Sequence, residues 1–302
     1  MTVAVAEAED LAECARRLEA SGEFVLLRRF RPVERYHEHD GCETRVGLVV
    51  DVETTGTEED DPIIQFAMTK FRFGTSCGRV FEVMGSWSWY EDPGRPIPPE
   101  ITQLTGITDE MVRGQRIDDV AVAEIAADAA LCIAHNAGFD RPKVEDRLPQ
   151  FESKHWACSL SELDWGGEGF ASTKQEYLAY RLGFFYGAHR AEDDCLALLH
   201  ILAQPLPRSG RLALAALLER ARERTARVWA LGSAFEYKDV LKRRGYRWSP
   251  GDRGRIKAWY RDMPASELEA ELDWLATEVH CETARYVTMS AKTRHSERAF
   301  LI

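Results

Sequence analysis

Two carboxylates separated by one residue, Asp51 and Glu53, stand at the end of the apolar run at residues 46–50. Side chains alternate along a strand, so the two acids point to the same face. Like charges held this close repel each other, and a divalent cation between them removes that cost. Mg²⁺ and Mn²⁺ prefer such oxygen ligands. The pair therefore indicates a metal site, although for the pair alone a solvated strand end with two harmless acids is an equal alternative.

Two further acids occur in settings that suit the same site. Asp140 follows an apolar stretch and lies at the start of the next helix, where the helix dipole favours a carboxylate; a plain N-cap is the alternative. Asp194 lies in a helix with a leucine-rich packed side, so it faces the sheet and needs a partner such as a metal. His189 precedes it in a turn, and an imidazole can take a proton from water near neutral pH. A lone loop histidine usually has no such role, and only its neighbours support one here.

These residues depend on strands and helices to bring them together. The strand ending at Asp51 is followed by strand-like runs at 62–73 and 79–89, which predicts an antiparallel meander. The chain then becomes helical, with one more buried strand at 131–135. Helices are predicted at 10–20, 99–104, 117–130, 175–182 and 193–202. A meander followed by alternating helix and strand predicts an α/β fold with a mixed sheet at its centre.

The composition is that of a soluble globular protein, with 302 residues, 45% of them hydrophobic and 29% charged. No apolar run approaches the roughly 20 residues of a membrane span, and the N-terminus carries acids where a signal peptide carries basic residues. Seven scattered cysteines indicate reduced thiols, and these features predict a cytoplasmic protein without a membrane partner. His37, His39 and Cys42 lie close together, but their spacing fits no usual zinc finger and no second ligand pair follows, so no zinc site is predicted there.

The charge is unevenly distributed. Residues 1–204 hold 20 Lys and Arg against 37 Asp and Glu, and residues 205–302 hold 19 against 13, giving net charges of −17 and +6. An acidic body repels nucleic acid unless metal ions neutralise its site, and a basic C-terminal part could supply attraction for the phosphate backbone. Basic surfaces are also common without a nucleic-acid partner, so the asymmetry is supporting evidence only.

Three segments resemble the exonuclease motifs of the DnaQ-like DEDDh 3′–5′ exonucleases. That superfamily includes the proofreading epsilon subunit of bacterial DNA polymerase III and ribonuclease T. The segments are Asp51-Val-Glu53-Thr-Thr-Gly56, His135-Asn-Ala-Gly-Phe-Asp140 and His189-Arg-Ala-Glu-Asp-Asp194, with a further match at 97–112. The resemblance covers about residues 44–204 and implies an RNase H-like core, a five-stranded mixed sheet flanked by helices. Gln65 stands where members often have an acidic residue, but that position is not a metal ligand in the family.

The resemblance implies a mechanism with two Mg²⁺ or Mn²⁺ ions about 3.5–4 Å apart at the scissile phosphate. By this resemblance Asp51 would touch both ions, and Asp140 would touch the second. Glu53 and Asp194 would hold the ion that activates water. His189 would deprotonate that water, and a 5′-mononucleotide would leave from a 3′ end.

The resemblance also implies contacts with the substrate. In the family, the residues after the first motif meet the terminal nucleotide, and an apolar wedge could press against its base. The side chains expected to contact the substrate are Thr54, Thr55, Leu104, Ile107, Asn136 and Phe139. Plain core packing is the alternative for Phe139 and the wedge residues Leu104 and Ile107.

The sequence predicts three parts: an N-terminal extension (1–43), a DEDDh exonuclease domain (44–204) and, after a linker, a small C-terminal α/β accessory module (211–302). Basic and aromatic residues interleave in the module and could bind single strands through phosphate contacts and stacking. They are Lys242, Arg243, Arg244, Tyr246, Arg247, Trp248 and Trp259. Protein docking and a plain structural role are the alternatives.

These inferences predict a metal-dependent 3′–5′ exonuclease that acts on DNA, most simply on single-stranded or frayed ends. An RNA-trimming enzyme of the same chemistry is one alternative, because discrimination depends on how the pocket treats a 2′-OH. The other is a subunit that mainly docks on a polymerase or repair complex. The four acids and His189 speak against an inactive scaffold.

Overall fold

The computed structural model describes residues 8–251 and 254–300. Its centre is a five-stranded mixed sheet of β2 (Thr44–Thr54), β3 (Ile63–Gly74), β4 (Val80–Tyr90), β5 (Ala129–Ala134) and β6 (Trp156–Cys158), in the order β4-β3-β2-β5-β6. The first three strands form an antiparallel meander, and β5 and β6 extend the sheet from β2 in parallel. The predicted fold class, an α/β mixed sheet flanked by helices, is confirmed.

Helices cover both faces of this sheet. The segment from β4 to β5 carries α2 (Pro99–Thr105), α3 (Asp109–Val112) and α4 (Asp119–Ala126). After β5 come α5 (Ala137–Arg147), a 3₁₀ turn (Pro149–Ser153), α6 (Gln175–Arg181), α7 (Ala191–Leu202) and α8 (Ala213–Arg222). The predicted helix at 117–130 is shorter, because the Asp118 side chain caps its start and Ala129 already belongs to β5.

Strand β2 is buried on both sides, which explains its nearly continuous apolar run. Leu48 and Val50 pack in one hydrophobic cluster with α4 and α5. Val49, on the opposite face, belongs to a second cluster that includes α7 and α8. Asp51 and Glu53 continue this second face, so the strand directs both carboxylates toward α7.

The N-terminal part contributes α1 (Ala8–Ser21) and a short strand, β1 (Arg28–Arg29), which pairs in parallel with β7 (Phe184–Phe185). The sequence suggested a strand at 24–27, and this was wrong by a few residues. Phe24 and Val25 are exposed and pack in neither cluster, whereas Arg28 and Arg29 find a partner strand.

The C-terminal part has a four-stranded antiparallel sheet of its own, in the order β11-β8-β10-β9. Its elements are β8 (Thr225–Ala230), α9 (Lys238–Arg243), β9 (Arg247–Ser249), β10 (Ala258–Pro264), α10 (Leu268–Glu278) and β11 (Arg285–Met289), with short 3₁₀ turns at Phe235–Tyr237, Ala265–Glu267 and Glu297–Phe300. Strand β11 was not foreseen. Helix α8 packs in the cluster of the central sheet through Leu214, Leu217 and Ala221, so we propose that the accessory module begins after α8.

A segment after β11 fastens this module to the central domain. The buried guanidinium of Arg141 in α5 donates hydrogen bonds to the backbone carbonyls of Ala291, Lys292 and Arg294. The backbone N–H of Trp156 in β6 also donates to the carbonyl of Ala291 at 2.8 Å. The two parts therefore share a buried polar interface. Within the described residues, no helix is long and apolar enough to cross a membrane.

Candidate active site

Three carboxylates converge where β2 meets α7. Oxygen atoms of Asp51, Glu53 and Asp194 lie within 4.8 Å of one another. Strand β2 supplies the first two from one face, and the first turn of α7 supplies the third. The structure thus brings together three of the four predicted acids in a donor set made only of oxygen, which suits a hard divalent cation.

Asp140, the fourth acid, lies beside this cluster in the first turn of α5 and is buried. Its Oδ1 accepts a hydrogen bond from the backbone N–H of Val52 at 3.2 Å, so the side chain reaches the strand that carries Asp51 and Glu53. The N-cap position of α5 belongs instead to Asn136, which makes no side-chain capping bond. Asp140 therefore joins the helix to the carboxylate-bearing end of β2.

Burial and mutual repulsion raise the pKa values of these acids. Burial, with the charges of its three acidic neighbours, raises the pKa of Asp51 well above its ordinary value. The same causes raise the pKa of Glu53 to about 8, and burial raises that of Asp140 to about 7. A bound divalent cation would offset this cost by neutralising the carboxylates. The residues present therefore fit a metal site.

The carboxylate of Asp194 is held by three donors that the sequence did not reveal. Its Oδ1 accepts from the hydroxyl of Tyr186 at 2.8 Å and from Nε2 of Gln175 at 3.3 Å. Its Oδ2 accepts from the backbone N–H of Arg190 at 3.0 Å. Donors of this kind fix the orientation of a metal-ligating carboxylate.

His189 lies in the loop before α7 and has a left-handed backbone conformation, with φ 64°. Its side chain is 42% exposed, and Nε2 lies 3.9 Å from Oε1 of Glu176. Residues other than glycine rarely adopt this conformation, and such strain is frequent at functional sites. His189 is thus next to the acids in the chain, while its ring remains accessible to solvent and to a substrate.

Arg190 was also missed by sequence reasoning. Its guanidinium donates a hydrogen bond to the hydroxyl of Tyr90 at 3.0 Å, and its positive charge counteracts the rise in the Glu53 pKa. A Cβ added to Gly106, at the end of α2, would lie 3.2 Å from the same guanidinium. Arg190 therefore links the acidic site to the α2–α3 segment, where the wedge residues were predicted.

The predicted substrate contacts fall into different environments. Thr54 and Thr55 follow the acids and are buried, and the Thr55 hydroxyl donates to Asp61. Asn136 is exposed, and Phe139 is half-buried against the apolar cluster beneath α5. Leu104 is 53% exposed, whereas Ile107 is fully buried with Ile64, Ile97 and Val112. Of the two wedge residues, only Leu104 is accessible to a nucleotide in this structure.

The basic and aromatic residues of the C-terminal module are largely engaged within the module. Arg244 and Arg261 form ion pairs with the buried Glu271, which also accepts a hydrogen bond from Tyr246 at 2.8 Å. Arg247 pairs with Asp262. Lys242 and Arg243 are exposed, and no ion pair involves them within residues 8–251 and 254–300. These two are the cations left available to a phosphate backbone.

A mixed sheet that presents four acids and a histidine at one strand end defines the class of divalent-metal-dependent enzymes that cleave phosphodiesters. The comparison with known families is specific: the exonuclease (RNase T) family model matches residues 48–202, about half of the chain. The chain belongs to this exonuclease family, and the family implies dependence on a divalent metal.

Several similar proteins are large polymerases. The chain is 36% identical over 113 residues to the PolC-type DNA polymerase III of Listeria welshimeri, a match that covers 36% of this chain and 7% of the relative. It is 40% identical over 105 residues to the PolC-type polymerase of Clostridium perfringens, covering 33% and 7%. The chain thus spans about 7% of the length of these relatives.

Solved structures with similar folds include exonuclease X in complex with 5′-overhanging duplex DNA, which is 21% identical. That match covers 57% of this chain and 89% of the other, with a TM-score of 0.40. Escherichia coli exonuclease I in complex with single-stranded DNA is 16% identical, covering 79% and 68%, with a TM-score of 0.46.

Proposed function

We propose that this protein is a DEDDh-type 3′–5′ exonuclease that removes 5′-mononucleotides from the 3′ end of DNA, preferably from single-stranded or frayed ends. The observation that carries the proposal is the convergence of Asp51, Glu53 and Asp194 within 4.8 Å, with Asp140 bound to the same strand. His189 completes the five-residue set that the motifs predict.

In this proposal the four carboxylates hold two Mg²⁺ or Mn²⁺ ions, which would stabilise the developing charge on the phosphate and activate a water molecule. Asp51 is central because β2 places it next to Glu53 and opposite Asp194. Tyr186 and Gln175 keep the Asp194 carboxylate in one orientation before the substrate arrives. This preorganisation reduces the rearrangement needed during the reaction.

His189 acts as the general base in this proposal. Its accessible imidazole can accept the proton of the attacking water and return it to solvent. The left-handed backbone at His189 fixes the point from which the ring projects, and Glu176 at 3.9 Å can stabilise the imidazolium that forms. Thr54, Thr55, Asn136, Phe139 and Leu104 remain the proposed contacts for the terminal nucleotide.

The experiment that tests the proposal follows the shortening of 5′-labelled single-stranded DNA and of an RNA of the same sequence, with Mg²⁺, Mn²⁺ or EDTA. A ladder that shortens from the 3′ end of the DNA is expected with either metal and not with EDTA. Asp194→Asn should abolish it, whereas Asp193→Asn, the adjacent control, should not. Preference for the RNA would retain the chemistry and change the substrate. Cleavage of neither would contradict the proposal and favour a docking role on a polymerase or repair complex.

A further inference from the structure

Two cysteines and an aspartate meet at the end of the central sheet farthest from the acidic site. Cys42 precedes β2 and Cys77 lies in the turn between β3 and β4, and their Sγ atoms are 3.4 Å apart. A carboxylate oxygen of Asp40 and the two sulfur atoms all lie within 4.8 Å of one another. The sequence did not predict a metal site here, because Cys77 is 35 residues from Cys42 and no spacing rule links them.

The separation of the sulfur atoms matches two thiolates on one cation. Thiolates bound to a tetrahedral zinc ion at about 2.3 Å lie roughly 3.8 Å from each other. A disulfide would bring them to about 2.05 Å, and both cysteines are free thiols. The side chains are thus already close to the arrangement that a shared ion requires.

Gly74, the last residue of β3, provides the space for the sulfur pair. A Cβ added at this position would lie within 3 Å of both Sγ atoms, which is closer than real contacts allow. The backbone φ of Gly74 is not in the left-handed region, so its conformation does not require glycine. What requires glycine is the pair of sulfur atoms above its Cα atom.

The surroundings of Asp40 suit a metal-ligating carboxylate. Arg79 donates to its Oδ2 at 2.7 Å, and the backbone N–H of Cys42 donates to its Oδ1 at 3.1 Å. Two thiolates and one carboxylate carry three negative charges, which a divalent cation and the Arg79 guanidinium together balance. Such outer hydrogen bonds orient the ligands of protein metal sites.

We propose that Cys42, Cys77 and Asp40 form a binding site for Zn²⁺ or a similar soft divalent cation. The site is partly exposed, so water can supply the fourth ligand. Binding displaces the two thiol protons to solvent. The ion would fasten the segment before β2 to the β3–β4 turn, and so support the sheet from the end opposite the exonuclease site.

The two sites are well separated along the same strands. Thr44 pairs with Gly74 at one end of the β2–β3 ladder, and Asp51 pairs with Ala67 toward the other. Seven residues of strand correspond to roughly 23 Å. The donor sets also differ, since the exonuclease site contains only oxygen atoms. A sulfur-specific signal therefore separates them.

The test is a Co²⁺ titration of the reduced full-length chain, because thiolate-bound cobalt shows sulfur-to-metal charge-transfer absorption in the near ultraviolet and carboxylate-bound cobalt does not. One equivalent with this absorption is expected, and one equivalent of Zn²⁺ should abolish it. Cys42→Ser and Cys77→Ser should each remove the absorption, and the exposed Cys14→Ser is the matched control. Gly74→Ala, which keeps every ligand, should weaken binding at least tenfold. Nuclease activity of Cys42→Ser should equal that of the wild type.

Several results would overturn the site. One is the absence of the charge-transfer absorption in a reduced wild-type chain whose circular dichroism is that of a folded protein. Another is persistence of the absorption in the Cys42→Ser Cys77→Ser variant. A third is a loss of two titratable thiols on air oxidation that Zn²⁺ added beforehand does not prevent, which would indicate a disulfide pair instead. Should the serine variants fail to fold, the exposed Asp40→Ala provides the same comparison, with weaker Zn²⁺ binding expected.

Discussion

The hydroxyl group of Tyr186 donates a hydrogen bond to Oδ1 of Asp194 at 2.8 Å. Gln175 fixes the direction of this bond, because its Nε2 atom donates to the Tyr186 oxygen at 2.9 Å and leaves the hydroxyl proton for the carboxylate. The same amide also donates to the backbone carbonyl of Asp194 at 3.0 Å. One side of the candidate metal site is therefore oriented by residues from α6 and from the segment before α7.

We predict that Tyr186→Phe lowers nuclease activity mainly by weakening metal binding. Loss of an outer hydrogen bond to a metal ligand typically costs about 10- to 100-fold in metal affinity or activity. The measurement is cleavage rate against Mg²⁺ concentration, where the midpoint should rise. Tyr180→Phe, at an exposed position in α6, is the control and should behave as wild type. An unchanged midpoint for Tyr186→Phe would show that the hydrogen bond does not support metal binding.

The raised pKa values of the acids predict an unusual dependence of stability on pH in metal-free protein. Glu53 has a pKa of about 8 in the folded chain against 4.5 ordinarily, and Asp140 about 7 against 3.8. Between about pH 5 and pH 8 the folded chain retains protons that the unfolded chain has released. The free energy of unfolding should therefore fall as the pH rises through this range.

Urea unfolding in EDTA at several pH values measures this effect. Glu53→Gln should flatten the dependence, whereas Glu124→Gln, an exposed change in α4, should not. Added Mg²⁺ should restore stability most strongly near pH 8, where the carboxylates are charged and bind the cation best. A metal-free protein that becomes more stable from pH 5 to pH 8 would contradict the proposed crowding of these acids.

His189→Asn separates the chemistry of the imidazole from the strain of its backbone. Asparagine tolerates the left-handed conformation at this position, so we expect folding stability to change little. The cleavage rate should fall by roughly 10²- to 10⁴-fold, which is typical for loss of a general base. His280 also has a positive φ, 53°, but lies in the C-terminal module. His280→Asn is therefore a matched control, and equal rates for the two variants would exclude His189 as the base.

The meander and its acids could be predicted because the relevant signals are local. The runs at 62–73 and 79–89 became Ile63–Gly74 and Val80–Tyr90, and alternation along β2 placed Asp51 and Glu53 on one face. Their position next to Asp194 followed from the apolar side of α7. These features need only the period of a strand or helix and the burial of apolar side chains.

The remaining features depend on contacts between distant parts of the chain. Tyr186 is one of nine tyrosines, and nothing nearby in the sequence marks it as a partner of Asp194. Ile107 is apolar, which does not distinguish a surface wedge from the buried core position that it occupies. Strand β11 has only one buried residue, Met289, so its hydrophobic pattern is weak and pairing with β8 defines it.

The C-terminal module was expected to bind single strands through seven basic and aromatic residues, and its ion pairs narrow the prediction to Lys242 and Arg243. Reversing both charges with Lys242→Glu and Arg243→Glu should weaken binding to single-stranded DNA if these residues contact phosphates. The slope of log affinity against log salt should decrease by about 1.4, or about 0.7 for each contact. Arg16→Glu with Arg17→Glu, an adjacent exposed pair in α1, controls for net charge. An identical slope in both double variants would exclude this surface.

The buried Arg141 predicts that the C-terminal segment is part of the folded domain and not a removable tail. Its guanidinium pairs with Glu145 at 2.7 Å and donates to three carbonyls between Ala291 and Arg294. Arg141→Met would leave those acceptors and Glu145 short of a donor, and removing one partner of a buried ion pair costs about 3–5 kcal/mol. We expect lower unfolding stability and faster proteolysis within 290–300, with Arg116→Met, at an exposed position, as control. Unchanged proteolysis would show that the segment docks independently of Arg141. If stability falls as predicted, truncation at 211 would test folding instead of DNA binding, because it removes both α8 and this anchor.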